Sequence, residues 1–97
     1  MNMNIEFLPV AGDRQARVIE KRGAIKTIRS MIGAPIATDT VNLRDGRVLI
    51  VDDTGLLDGR PVNPAATALF RSIYPLAEEN KTNIHGDCVI AVDEDFA

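Results

Sequence analysis

Arg60, Asn63 and Thr67 are the residues whose types and spacing come closest to a binding site. Asn63 and Thr67 stand four positions apart, one helical turn, with Arg60 just ahead of them. A helix beginning here would present unpaired backbone N–H groups. With an arginine beside them, such groups can hold a phosphate or a carboxylate. The same residues can also serve without any ligand. Asn63 then caps the helix, Thr67 bonds back to it and Arg60 is solvated. As a cap alone, Asn63→Ala would remove about 1 kcal/mol.

Other chemistry-bearing residues do not assemble into a motif. His85 and Cys88 have the spacing of half a zinc site, with Asp87 between them, but the chain holds one His and one Cys. Tetrahedral zinc takes four ligands, so a buried thiol and a surface imidazole are expected instead. Asp52, Asp53 and Asp58 lack the alternating spacing and closing glutamate of a calcium loop and read as turn formers. Nothing places Ser30 or Ser72 beside His85 as a nucleophile beside its base. Gly55 and Gly59 lack the Lys-Ser/Thr of a phosphate-binding loop. These residues imply no enzyme, no metal and no cofactor.

The elements that must position the Arg60–Thr67 stretch follow from periodicity. Asn4 to Val10 reads as a strand with Ile5 and Phe7 on one face and Glu6 and Leu8 on the other. Ala11-Gly12-Asp13 turns the chain, and Ala16 to Glu20 returns as a second strand. Ala24 to Ile32 reads as a helix with Ile25, Ile28 and Ile32 as its buried stripe. Gly33 supplies a left-handed C-terminal cap, and Pro35 forbids continuation. Ile36 to Leu43 and Arg47 to Val51 form a hairpin around Arg44-Asp45-Gly46, where Asp-Gly supplies the positive φ angles of a tight turn. The unbroken apolar run Val48-Leu49-Ile50-Val51 is an inner strand covered on both faces. Asn63 and Pro64 fit the N-cap and first helical positions of a second helix, Pro64 to about Tyr74. Its buried face is Ala65, Ala66, Leu69, Phe70 and Ile73, and Pro75 stops it. Leu76 to Asn83 reads as a loop with room for one helical turn at Ala77-Glu78-Glu79. Cys88 to Val92 is the last strand. The fold class is α+β: about five mainly antiparallel strands with two helices packed on the sheet.

Ninety-seven residues form a single domain, 1–97, with an acidic tail, 93–97, expected to fray. Few aromatics mean an aliphatic core with little stability to spare, which favours a homo-oligomer. A net charge of −3 argues against direct nucleic-acid binding. The charge is uneven. Residues 1–48 carry eight Lys and Arg against five Asp and Glu, and residues 49–97 carry three against nine. One cysteine excludes an internal disulfide, and no apolar run suits a membrane span or signal peptide. The expected location is the cytoplasm, with no membrane partner.

From about Ile25 to Ile90 the order of signals is familiar. An Ile-rich helix ends at Met31-Ile32-Gly33. The hairpin leads into Val48-Leu49-Ile50-Val51, followed by Gly55-Leu56-Leu57-Asp58-Gly59. Asn63-Pro64-Ala65-Ala66-Thr67 and Ile84-His85-Gly86-Asp87-Cys88-Val89-Ile90 come next. This resembles a family of small phage- and plasmid-borne proteins catalogued as a domain of unknown function. Asn-Pro-x-Ala-Thr and the late Ile-x-Gly-Asp run carry the resemblance. The family pattern has a shorter loop between the two than Tyr74 to Asn83. The resemblance brings no catalytic residues. It implies a setting, a mobile element in a bacterial cytoplasm.

Two binding functions follow. The first is a non-enzymatic accessory protein that sequesters a small anionic ligand, such as a host defence signalling nucleotide, at Arg60, Asn63 and Thr67. The second is a protein-binding inhibitor of a host defence or replication enzyme that uses the acidic C-terminal half.

Overall fold

A computed structural model describes residues 1–96. In chain order the elements are β1 (Asn2–Leu8), β2 (Gln15–Glu20), α1 (Ala24–Ile32), β3 (Thr38–Asn42), β4 (Arg47–Asp52), α2 (Pro64–Ile73), α3 (Pro75–Glu79) and β5 (Cys88–Val92). A 3₁₀ turn, Asp93–Phe96, follows. The strands form one antiparallel sheet of five in the order β2-β1-β5-β4-β3. The fold is therefore α+β. The last strand enters between the two hairpins and becomes the middle of the sheet.

Side chains pack on both faces of the sheet because residues 48–51 of β4 and Cys88–Val92 of β5 are apolar at every position. Val48 and Ile50 of β4 join Val89 and Ala91 of β5, Met3 and Ile5 of β1, and Ala24, Ile28 and Ile32 of α1. Leu49 and Val51 face the other way, with Cys88, Ile90, Leu8, Ile84 and Ala66 of α2. Each fully buried Ile, Leu or Val contributes about 1.5–3 kcal/mol to this sandwich. The register places Leu49 opposite Ile90 and Val48 opposite Ala91, so adjacent strands present matching faces.

The first helix has the expected bounds but a shifted stripe. Its buried residues are Ala24, Ile28 and Ile32, and Ile25 is 46% exposed. The small Ala24 lets the helix start sit close to the sheet, and this turns Ile25 about 100° outward. Gly33 has φ 69°, and the Gly33 and Ala34 N–H groups bond to the Ser30 and Arg29 carbonyls. That is a Schellman ending, with glycine where a side chain would be strained.

Other local expectations are refined. In the β3–β4 turn the positive φ angles fall on Arg44 and Gly46, not on Asp45. Asp45 instead accepts from the Arg47 backbone and guanidinium, which holds its carboxyl below the usual range. Ala65 is exposed, and Thr67 is buried beside Ala66. Pro64 and Ala65 crown the outer side of the first turn, while Ala66 rests on the sheet. Pro75 ends α2 and also starts α3. Tyr74 fastens that junction by donating to the Asn42 carbonyl, with Arg44 stacked 4.3 Å over its ring. Residues 93–96 of the expected frayed tail form the 3₁₀ turn, with Phe96 packed partly against the α1 side of the core. Ala97 lies outside the described residues.

Candidate functional site

The segment 53–63 leaves β4 and must cross the sheet end to reach α2. Its two glycines, Gly55 and Gly59, and Arg60 shape its path. Arg60 does not face α2. Its side chain runs to the other layer, where Nη1 donates to the Ile32 carbonyl at 3.3 Å and Nη2 to the Gly33 carbonyl. The guanidinium thus caps the C-terminus of α1, where a cation is favourable. Its Nε lies 2.8 Å from Asp52 Oδ2, whose side chain is wholly buried. Nε–H is not aligned with that oxygen, so the contact is ionic rather than a hydrogen bond.

Asp52 Oδ1 accepts from the Thr54 N–H at 3.0 Å and from the Thr54 hydroxyl at 3.2 Å. Burial pushes the Asp52 carboxyl up. The Thr54 N–H, the Asp58 side chain, the Thr54 hydroxyl and the Arg60 guanidinium outweigh it and hold the carboxyl below its ordinary value.

Arg60 lies in a slot walled by glycine. A Cβ at Gly86 would stand 2.8 Å from Arg60 Cδ, and one at Gly33 would stand 3.3 Å from Nη2. Gly86 also has φ 86°. Gly86→Ala should therefore displace Arg60 and strain the backbone together, lowering stability by about 1–3 kcal/mol. The urea midpoint measures this; an unchanged midpoint would show that Arg60 swings aside freely.

Asn63 caps α2 as its position foretold, with Oδ1 accepting from the Ala66 N–H at 3.1 Å. It is also fully buried. Its Nδ2 donates to the Leu8 carbonyl at 3.0 Å and to the Gly86 carbonyl at 2.9 Å. One side chain thus ties α2, β1 and the lead into β5. Thr67 extends the seam by accepting from the Ile84 N–H at 2.9 Å. Backbone bonds from Asn63 N to Ile84 O and from Gly86 N to Pro61 O complete it. Asp87 Oδ1 accepts from the Val10 N–H at 2.8 Å.

The expected trio therefore lies in one region, but its polar atoms are engaged inside the protein. The Thr67 N–H bonds to the Asn63 carbonyl, and the first turn of α2 keeps only the Ala65 N–H without a protein partner among the described residues. The two runs that carry the family resemblance, Asn63 to Thr67 and Ile84 to Asp87, are the two sides of this seam. Their spacing reports how the fold is fastened.

His85 and Cys88 point apart. The His85 Nδ1 lies 2.8 Å from the Arg60 carbonyl, which can only accept, so Nδ1 carries the proton. Cys88 is fully buried, and burial pushes its thiol up to about 12. Among the described residues no three His, Cys, Asp or Glu side chains are grouped to hold a metal, and no helix is long and apolar enough to cross a membrane.

The open surface lies elsewhere. Helix α2 covers only the end of its sheet face near Leu8, Leu49 and Cys88. The rest forms a groove of about 370 Å³, lined by Ala16 and Val18 of β2, Asn4 and Glu6 of β1, Ile90 and Val92 of β5, and Arg47 at the β4 side. Val18 is 64% exposed and Val92 37%. Glu6 pairs with Arg14 at 3.1 Å and Arg47 with Asp45 at 2.8 Å, so a mainly aliphatic lining is crossed at β1 by one charged pair and bordered at β4 by another. Sequence periodicity places Val18 in the returning strand. It does not show that α2 stops short of it.

No curated protein and no solved structure shows a significant match to the chain. A family model does match, over residues 3–97, nearly the whole chain and both sides of the seam. The protein belongs to that family, described as domain of unknown function DUF3846.

Proposed function

We propose that this chain is a non-enzymatic binding module that engages a protein partner through the uncovered half of its α2-side sheet face. The observation that carries this reading is the groove lined by Val18, Ile90 and Val92. Its exposed aliphatic residues lie among a few polar and charged ones, Asn4, Glu6 and Arg47, a mixture common at protein interfaces. The mobile-element setting implied by the family resemblance supports a host enzyme as the partner, and the module then acts as an inhibitor.

A second reading, capture of a small anionic ligand, is favoured by one observation. Lys21, Arg22 and Lys26 border a hollow at the start of α1 that Asp95 also lines, and these three cations make no ion pair among the described residues.

Both readings are tested by purifying the tagged protein and a Val92→Asp variant from bacterial cells. A stoichiometric protein that accompanies only the unsubstituted chain, and is loosened by high salt, supports the module. A nucleotide released on heating, with no accompanying protein, supports the second reading instead. Sedimentation of the same samples reads the expected self-association.

A further inference from the structure

The two outer strands of the sheet differ in a way that the groove alone does not reveal. In β3 the bonds from Asp53 N to Ala37 O and from Leu43 N to Arg47 O show that odd-numbered residues bond inward to β4. Thr38, Thr40 and Asn42 therefore turn their backbone groups outward. Two of those groups are occupied: the Thr40 N–H bonds to Asp39 Oδ1, and the Asn42 carbonyl accepts from Tyr74. In β2 the bond from Lys21 N to Met1 O sets the same phase, so odd residues bond to β1. Ala16, Val18 and Glu20 present their N–H and C=O groups outward. None of these has a partner among the described residues. Proteins usually blunt such edges; here β3 has two of its six outward groups occupied and β2 has none, so β2 is the more open edge.

We infer that β2 accepts an extended acidic segment of a partner protein as a sixth strand. The inference rests on the binding-module reading and specifies how the partner is held. An added strand alternates its side chains between the two sheet faces. On the α2 side its residues would continue the aliphatic lining beside Ala16 and Val18. On the α1 side they would meet the row Gln15, Arg17, Ile19 and Lys21, whose two charged members are both cationic, with Arg22 just beyond. Opposite charges across strands are favourable, so this row calls for aspartate or glutamate. Glu20 lies on the groove side, where it disfavours acids. The fitting segment therefore alternates aliphatic and acidic residues. A second copy fits worse. Pairing two β2 strands antiparallel about Val18 places two Arg17 and two Lys21 on one face of the joint, without an acid among them.

The probe is a fluorescein-labelled, end-blocked hexapeptide of alternating valine and aspartate, titrated into the full chain by anisotropy. Its lysine–valine counterpart is the control. The acidic peptide should bind at least about tenfold more tightly than the basic one, and more weakly as salt is raised. Val18→Pro removes an outward N–H that the β1 ladder does not use, so the sheet survives. It should weaken binding by about tenfold or more, the loss of a single well-made bond to a bound strand. Should that variant fold poorly, Arg17→Glu with Lys21→Glu serves instead and should reverse the preference toward the basic peptide.

Equal binding of both peptides, or full binding to Val18→Pro, overturns strand addition. If a co-purifying protein is still lost with Val92→Asp, the module reading stands and only the edge inference fails. If neither peptide nor protein binds, both fail. A concentration-dependent dimer abolished by Val18→Pro would place a second copy at this edge and overturn the acidic partner.

Discussion

Replacing Asn63 with alanine should lower stability by about 3 kcal/mol, well beyond the loss of a helix cap. The added loss comes from the two bonds that Nδ2 makes to the Leu8 and Gly86 carbonyls inside the molecule. A domain of this size loses about 4–8 °C of thermal midpoint per kcal/mol, so the fall should exceed about 10 °C. Asn63→Asp separates the two roles of the side chain. It keeps an acceptor for the Ala66 N–H but turns a second oxygen toward two carbonyl oxygens. An ionised carboxylate there has no cation and should be worse than alanine at neutral pH. Acidification protonates it and supplies a donor, so the aspartate variant should gain on the alanine variant between pH 7 and pH 5. Urea melts at the two pH values measure this. Equal losses at both would mean that Nδ2 contributes little and that capping is the whole role.

Arg60→Ala should have a comparable effect for a different reason. It leaves the Asp52 carboxylate buried without its cation and uncaps the end of α1. Breaking a buried pair from one side typically removes about 3–5 kcal/mol, and partial exposure of the guanidinium puts this case near the lower end. Asp52→Asn with Arg60→Ala should recover part of the loss, because no charge is then stranded. The pH dependence follows from the lowered Asp52 pKa. A carboxyl whose folded pKa lies below its unfolded value stabilises above the unfolded value, about 4. That contribution fades as pH falls through the lower folded value. The unsubstituted protein should lose this contribution in that acid range, and Arg60→Ala should show a shallower fall there. Identical acid profiles would mean that Arg60 does not set the Asp52 titration.

Local patterns in the chain foretold much of the fold. Gly33 and Pro35 marked the end of α1. Asn63-Pro64 marked the start of α2. The run from Val48 to Val51 announced a strand buried on both faces, because it offers no polar residue to either side. What local pattern does not carry is which strands meet. The final strand reads the same at an edge as at the centre, and its place between β1 and β4 is decided by apolar faces distant in sequence. The role of Arg60 was hidden for the same reason. Its proximity to Asn63 suggested a shared ligand, whereas its side chain crosses to α1, a helix more than twenty-five residues earlier. Of the glycines that make room for it, Gly33 was legible only as a helix cap and Gly86 only as part of the run from Ile84 to Asp87. The openness of β2 and the partial blocking of β3 depend on backbone phase and on Asp39 and Tyr74. Neither follows from strand propensity.

The inaccessible thiol of Cys88 gives the molecule an internal clock. With its sulfur enclosed under α2 and its acidity suppressed, a thiol reagent can react only through an opening of the sandwich. The labelling rate then times the parting of α2 from the sheet. It does so at the middle strand, with no second cysteine to confuse the signal.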